Sequence, residues 1–155
     1  MSGWRQLEHS VSKWLSTFTS AFDLKFCNAH QAIPGFPSNG FRSDGLLTNG
    51  QVLLAVEIEA GQMHPDTNVG KYWLLYEYKH YQKIVLFHVY TPDFNSYDWR
   101  RKLGEFYAKK MQFEIPIDYV LLDYRKAKDF NATLAEIKAK IGARVKQEFE
   151  VVSAS

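Results

Sequence analysis

Apolar residues fall along this chain in two rhythms. Leu7, Val11, Trp14, Leu15 and Phe18 recur at three- and four-residue intervals, which predicts a helix within the first twenty residues. Leu134, Ile137, Ile141, Val145 and Phe149 form a second stripe of that kind, predicting a closing helix over residues 131–149. Between them, residues 41–47 and 51–60 read as strands. Thr48-Asn49-Gly50 is the hairpin turn joining them, because Asn-Gly readily takes the positive φ angles of a tight turn. Pro65-Asp66-Thr67 starts a helix that continues through residues 68–78. Residues 83–90, with the unbroken run Ile84-Val85-Leu86-Phe87, read as a central strand covered on both faces. Ser96 offers a cap for a helix over 97–111, and residues 117–122 give a last strand. Residues 28–45 hold Pro34, Gly35, Pro37, Gly40 and Gly45 and read as loop. The order α-β-β-α-β-α-β-α predicts an α/β fold with a mixed central sheet flanked by helices. No linker divides the chain, so residues 1–155 read as one domain.

Composition narrows the functional classes. A net charge of +2 excludes a polycation, so any nucleic-acid partner must meet a local basic face. A single cysteine, Cys27, excludes an intramolecular disulfide and a cysteine-built zinc site, and fits a reducing, cytoplasmic compartment. Neither a secretory leader nor an apolar run of the ~20 residues that span a bilayer is present, so no membrane partner is expected. The histidines at 9, 30, 64, 80 and 88 are scattered, without an HExxH pattern. A Gly-rich phosphate loop, a dinucleotide fingerprint and a GxSxG elbow are all missing.

Chemistry concentrates in Ser43-Asp44-Gly45 and in Val52-Leu53-Leu54-Ala55-Val56-Glu57-Ile58-Glu59. Side chains alternate on a strand, so Glu57 and Glu59 share one face, while Val52, Leu54, Val56 and Ile58 form a core face on the other. Taken alone, two glutamates at this spacing fit the solvated face of a half-exposed sheet. A two-residue turn at Asn49-Gly50 pairs Asp44 with Ala55 or a near neighbour, and a bulge or bend then brings Asp44 to Glu57. Three carboxylates round one point make a hard oxygen site suited to Mg²⁺ or Mn²⁺.

Asp44, twelve residues, then Glu57-Ile58-Glu59 on an apolar strand resembles the active-site signature of the PD-(D/E)xK, or restriction-endonuclease-like, superfamily. The likeness spans about the first 125 residues. Ser43 stands where the family often has Pro, and Glu59 stands in place of its Lys, giving an ExE variant. The resemblance implies an α-β-β-β-α-β core, which requires a further strand concealed within residues 26–40. It implies a metal-dependent endonuclease acting on DNA, of restriction, repair or phage-related type. Asp44, Glu57 and the Ile58 carbonyl would hold the cation, joined by Glu8 from the first helix, with Glu59 as a further ligand or base. Lys71 is the candidate substitute for the missing lysine, the alternative being an ordinary exposed helix lysine. Gln62, His64, Asn68 and Tyr72 would line the rim.

Arg100, Arg101, Lys102, Lys109 and Lys110 offer phosphate contacts on the helix over 97–111. Tyr97 and Tyr107 interleave with them, and Trp99, Leu103 and Phe106 sit at core spacing. Lys138, Lys140, Arg144 and Lys146 are balanced by Glu136 and Glu148. Double-strand cutting by so small a chain would need a homodimer. The competing expectation is a catalytically inactive nucleic-acid-binding or structural module on the same fold, with Glu59 as the trace of lost activity.

Overall fold

A computed structural model describes residues 3–61, 64–96 and 98–150. Five strands form one mixed sheet in the order β1-β2-β3-β4-β5. These are β1 (Lys25–Asn28), β2 (Gly45–Thr48), β3 (Val52–Glu59), β4 (Lys83–Tyr90) and β5 (Ile117–Asp123). The first three run antiparallel to one another, and β3, β4 and β5 run parallel. The helices are α1 (Gln6–Ser16), a short α2 (Thr19–Phe22), α3 (Pro65–Tyr78), α4 (Asp98–Glu114) and α5 (Phe130–Glu148). The expected α/β class with a mixed, helix-flanked sheet is what the chain adopts. Strand β1 overlaps the start of the stretch expected to conceal a further strand and ends where the segment read as loop begins; at four residues it is too short to show a periodicity of its own. Pro65 is the first residue of α3, where the Pro65-Asp66-Thr67 signal puts the helix start, since its fixed φ suits the first helical position.

Helices α1 and α5 cover one face of the sheet. Leu7, Val11 and Leu15 meet Ile137, Ile141 and Val145 over Leu54, Val56, Ile58, Val85 and Phe87. Helices α3 and α4 cover the other, with Val69, Tyr72, Leu75, Ala108 and Met111 over Leu46, Leu53, Ala55, Ile84 and Leu86. Both faces of β3 are therefore buried. A solvated face for Glu57 and Glu59 is overturned: they are 2% and 0% exposed.

Helix α4 departs from expectation in its orientation. Trp99, Leu103 and Phe106 are exposed, and the inward face is Gly104, Ala108 and Met111. A Cβ at Gly104 would stand 3.1 Å from the Pro65 carbonyl oxygen. Helix α4 approaches the start of α3 so closely that the small-residue stripe must face in, which turns the bulky stripe out.

The β2–β3 hairpin fixes the position of Asp44. Asn49 N–H donates to the Val52 carbonyl at 3.3 Å, and Asn49 Oδ1 accepts from the amides of Gln51 and Val52 at 2.9 and 2.8 Å. The turn centres on Gly50-Gln51, with Gly50 at φ +92°, one residue later than Asn49-Gly50. Moving a turn by one residue moves cross-strand partners by two, so Leu46 pairs with Ala55 and Gly45 with Val56. Asp44 thus stands one step beyond the Gly45–Val56 pair, level with Glu57, and needs no bulge to reach it. Among the described residues no helix is long and apolar enough to cross a membrane.

Because Gly50 holds a backbone conformation that L side chains resist, Gly50→Ala is expected to cost about 1 kcal/mol in urea unfolding. An unchanged midpoint would contradict this turn.

Candidate active site

The α3/α4 face of the sheet changes character along its strands. On β3, Leu53 and Ala55 give way to Glu57 and Glu59; on β4, Ile84 and Leu86 give way to His88 and Tyr90; on β5, Ile117 is followed by Tyr119. Polar groups thus gather at the carboxyl ends of the parallel strands, where open α/β sheets place their ligand sites.

Glu57 is held on both oxygens. Lys71 Nζ, from α3, lies 3.0 Å from Oε1, and the Tyr72 hydroxyl donates to Oε2 at 2.5 Å. Burial pushes the Glu57 carboxyl up to about 8, against the lowering pull of the Lys71 ammonium and the Tyr72 hydroxyl. Burial and the neighbouring Glu57 push the Tyr72 phenol well above its ordinary range. Lys71 is 6% exposed and also donates to the Arg42 carbonyl at 2.7 Å and to Asn68 Oδ1 at 3.3 Å. The exposed helix lysine is therefore overturned. One turn of α3 separates Asn68 from Lys71 and aims both side chains at the sheet.

Glu59 is anchored by a different set. Asn68 Nδ2 donates to Oε1 at 2.7 Å, and His88 Nε2 lies 2.8 Å from the same oxygen. With Nε2–H donating to the carboxyl, Nδ1 is left to accept from the Tyr119 hydroxyl, 2.7 Å away. Glu59 Oε2 is buried and has no hydrogen-bond partner among the described residues. Sequence reading missed His88 and Tyr119. The available signal was period two along β4, which places His88 on the same row as Ile84 and Leu86, the row paired with Glu57.

Asp44 precedes β2, and its Oδ2 accepts the Ile58 N–H at 2.7 Å. Ser43, where the resembling family often has Pro, donates from Oγ to the Gly45 and Val56 carbonyls and so fixes the approach to Asp44. Burial raises the Asp44 carboxyl above its ordinary value, opposed by the Ile58 amide and by Lys71. Glu8, in the first turn of α1, is pushed up to about 7 by burial and by the charges of Asp44 and Glu59, with Arg5 opposing. Glu8 and Asp44 line a cavity of about 440 Å³ whose other walls include His9, Lys13, Phe26 and His30.

Asn68 and Tyr72, expected at the rim, act as floor: they hold Glu59 and Glu57. His64 sits at the start of α3 and is exposed, bonded to Arg100. Gln62 and Tyr97 lie outside the described residues. On α4, Arg101 is paired with Asp98 and Glu105, and Lys102 with Asp98. Lys109 and Lys110 are exposed and make no ion pair among the described residues.

Among the described residues, no three His, Cys, Asp or Glu side chains converge into a ready cation cage. Mg²⁺ requires less, because it keeps several waters and takes one or two carboxylates plus substrate phosphate. The unpartnered Oε2 of Glu59 and the raised carboxyls of Asp44 and Glu8 suit such a cation, while Glu57 already has protein donors on both oxygens. Family models, curated proteins and solved structures gave no match to this chain.

Removing one partner of a buried ion pair leaves an uncompensated charge. Lys71→Met is accordingly expected to cost about 3–5 kcal/mol in urea unfolding, and Lys71→Met/Glu57→Gln to recover part of it. Additive losses would argue that the pair is not coupled. A second expectation concerns pH. The folded value of Glu8 lies above its ordinary 4.5, so the native state holds the extra proton, and stability falls as pH rises from 4.5 to about 7. In EDTA, Glu8→Gln should raise the urea midpoint more at pH 8 than at pH 5; an equal effect at both would contradict the repulsion.

Proposed function

We propose that this chain is a metal-dependent nuclease that hydrolyses phosphodiester bonds in DNA. One observation carries the reading: Glu8 feels the charges of Asp44 and Glu59, Asp44 feels that of Glu59, and a buried lysine lies beside them. Neighbouring carboxylates that raise one another's pKa, one of them with a buried oxygen lacking a partner among the described residues, are what a hard divalent cation relieves.

Asp44 and Glu59, with Glu8, would hold Mg²⁺ or Mn²⁺; bound there, it would act as a Lewis acid towards a phosphate oxygen and lower the pKa of a water. The remaining work falls to the chain. Asn68 and His88 fix the Glu59 carboxyl through Oε1 and leave Oε2 for a ligand. Glu57 acts as the counter-charge that keeps Lys71 in place. From there the Lys71 ammonium, whose field already reaches Asp44, can offset negative charge building on the phosphate. His9, Lys13 and His30, on the walls of the cavity that Asp44 shares, offer contacts to the backbone of the strand. Lys109 and Lys110, with Arg100, Arg101 and Lys102, extend the cationic surface along α4. Cutting both strands would call for a homodimer presenting two such sites.

A second reading, an inactive nucleic-acid-binding module, draws on Glu57, whose two oxygens are closed off by Lys71 and Tyr72. Cleavage separates the two. With Mg²⁺ or Mn²⁺ and plasmid or single-stranded DNA, cleavage should appear, vanish in EDTA, and fall at least about 100-fold in Asp44→Asn and Glu59→Gln. Intact DNA from the folded, metal-supplied protein would favour the binding module.

A further inference from the structure

Helix α4 turns outward a stripe that no other described element covers. Trp99, Phe106 and Phe113 are 78%, 52% and 82% exposed, and Leu103 lies between the first two. They recur at three-, four- and seven-residue spacing and so share one side of the helix. At 1.5 Å per residue the stripe from Trp99 to Phe113 runs about 21 Å. Its other outward positions are Lys102, Lys109, Lys110 and, in the last turn, Glu114; Lys102 is bonded to Asp98, while Lys109 and Lys110 make no ion pair among the described residues. Two of the lysines stand over the rings: Lys102 Nζ is 4.6 Å from the Trp99 ring centre, and Lys110 Nζ 5.6 Å from that of Phe106. Helix α4 starts just after the carboxyl end of β4. Arg100, in its first turn, bonds to His64 at the exit from β3, so the Trp99 end of the stripe lies at the carboxylate end of the sheet.

Charge decides between occupants. A two-fold pairing of the stripe with itself, centred on Phe106, would bring Lys102 of each copy against Lys110 of the other, with Asp98, already bonded to Lys102, as the acid beside them. Like charges so placed oppose association. A polyanion fits the same lysines. Duplex DNA presents phosphates on its outside but keeps its base faces stacked within, so it would use the lysines and leave three rings idle. An unpaired strand uses both, phosphates on ammonium groups and bases on rings.

We propose that the outer side of α4 binds the unpaired bases of single-stranded nucleic acid, delivering a single strand or flap to the carboxylate site. This inference rests on the nuclease reading for what is delivered, though not for the binding itself.

The test is fluorescence anisotropy in EDTA, where no cleavage occurs, with a labelled oligo-dT of about 15 nucleotides and a duplex of equal length. The single strand should bind about tenfold or more tightly than the duplex. Trp99→Ala/Phe113→Ala should weaken single-strand binding at least about tenfold and duplex binding less than about twofold. Lys109→Ala/Lys110→Ala should weaken both and flatten their salt dependence. The rings are exposed, so these variants should fold, which circular dichroism verifies. Equal binding of both nucleic acids, or of wild type and the ring variant, would overturn the proposal. So would self-association by light scattering that the ring variant abolishes, or binding to phosphatidylserine vesicles in place of the oligonucleotide. Single-strand binding without metal-dependent cleavage would keep the stripe and sink the nuclease reading. Cleavage lost in Asp44→Asn but indifferent to the ring variant would do the reverse.

Discussion

The placement of Lys71 is the constraint on which the site depends. Its ammonium lies in the interior and meets Glu57 of β3, Asn68 of its own helix, and the Arg42 carbonyl in the segment leading to Asp44. Taking two ions out of water costs several kcal/mol each unless their remaining hydrogen-bonding capacity is filled. Here it is nearly filled, with three acceptors round the ammonium and donors on both Glu57 oxygens. Such a pair is a poor source of net stability but a strong source of position. It ties α3, the centre of the sheet and the approach to Asp44 to one point.

Satisfaction ends one residue pair further along the strand. Among the described residues Glu59 has two donors on one oxygen and none on the other, while burial raises both Asp44 and Glu8, helped at Asp44 by the charge of Glu59 and at Glu8 by those of Asp44 and Glu59. The interior therefore resolves electrostatic stress at Glu57 and leaves it standing between Glu59, Asp44 and Glu8. Perturbed carboxyls of this kind cluster at binding and catalytic sites. A cavity lined from α1 and β1 reaches Asp44 and Glu8.

Packing of α4 shows how a local steric demand shapes an outer surface. Since α4 lies against the start of α3 at Gly104, its inward side must be Gly104, Ala108 and Met111. Trp99, Phe106 and Phe113 are displaced outward among lysines. Helical spacing alone marks both stripes as apolar, and spacing cannot say which one the protein hides.

Much of the architecture was legible in the chain. The α1 and α5 stripes, the unbroken apolar run of β4 and the hairpin before Glu57 each follow from local periodicity or turn chemistry, and these are decided by residues a few positions apart. The carboxylates Asp44, Glu57 and Glu59 were legible for the same reason: alternation puts the two glutamates on one face, and the hairpin carries the aspartate back to them. What the sequence could not set was the depth and partnership of those groups. Whether the Glu57 face meets water or a second helical layer depends on α3 and α4 packing across residues far apart in the chain. The same packing buries Lys71 and brings His88 and Tyr119 to Glu59, while the bonds of the Asn49 side chain to the Gln51 and Val52 amides set the turn at Gly50-Gln51 and bring Asp44 level with Glu57. Local patterns fix which residues share a face; only the close packing of distant elements fixes what that face touches, and with it the charge each group must bear.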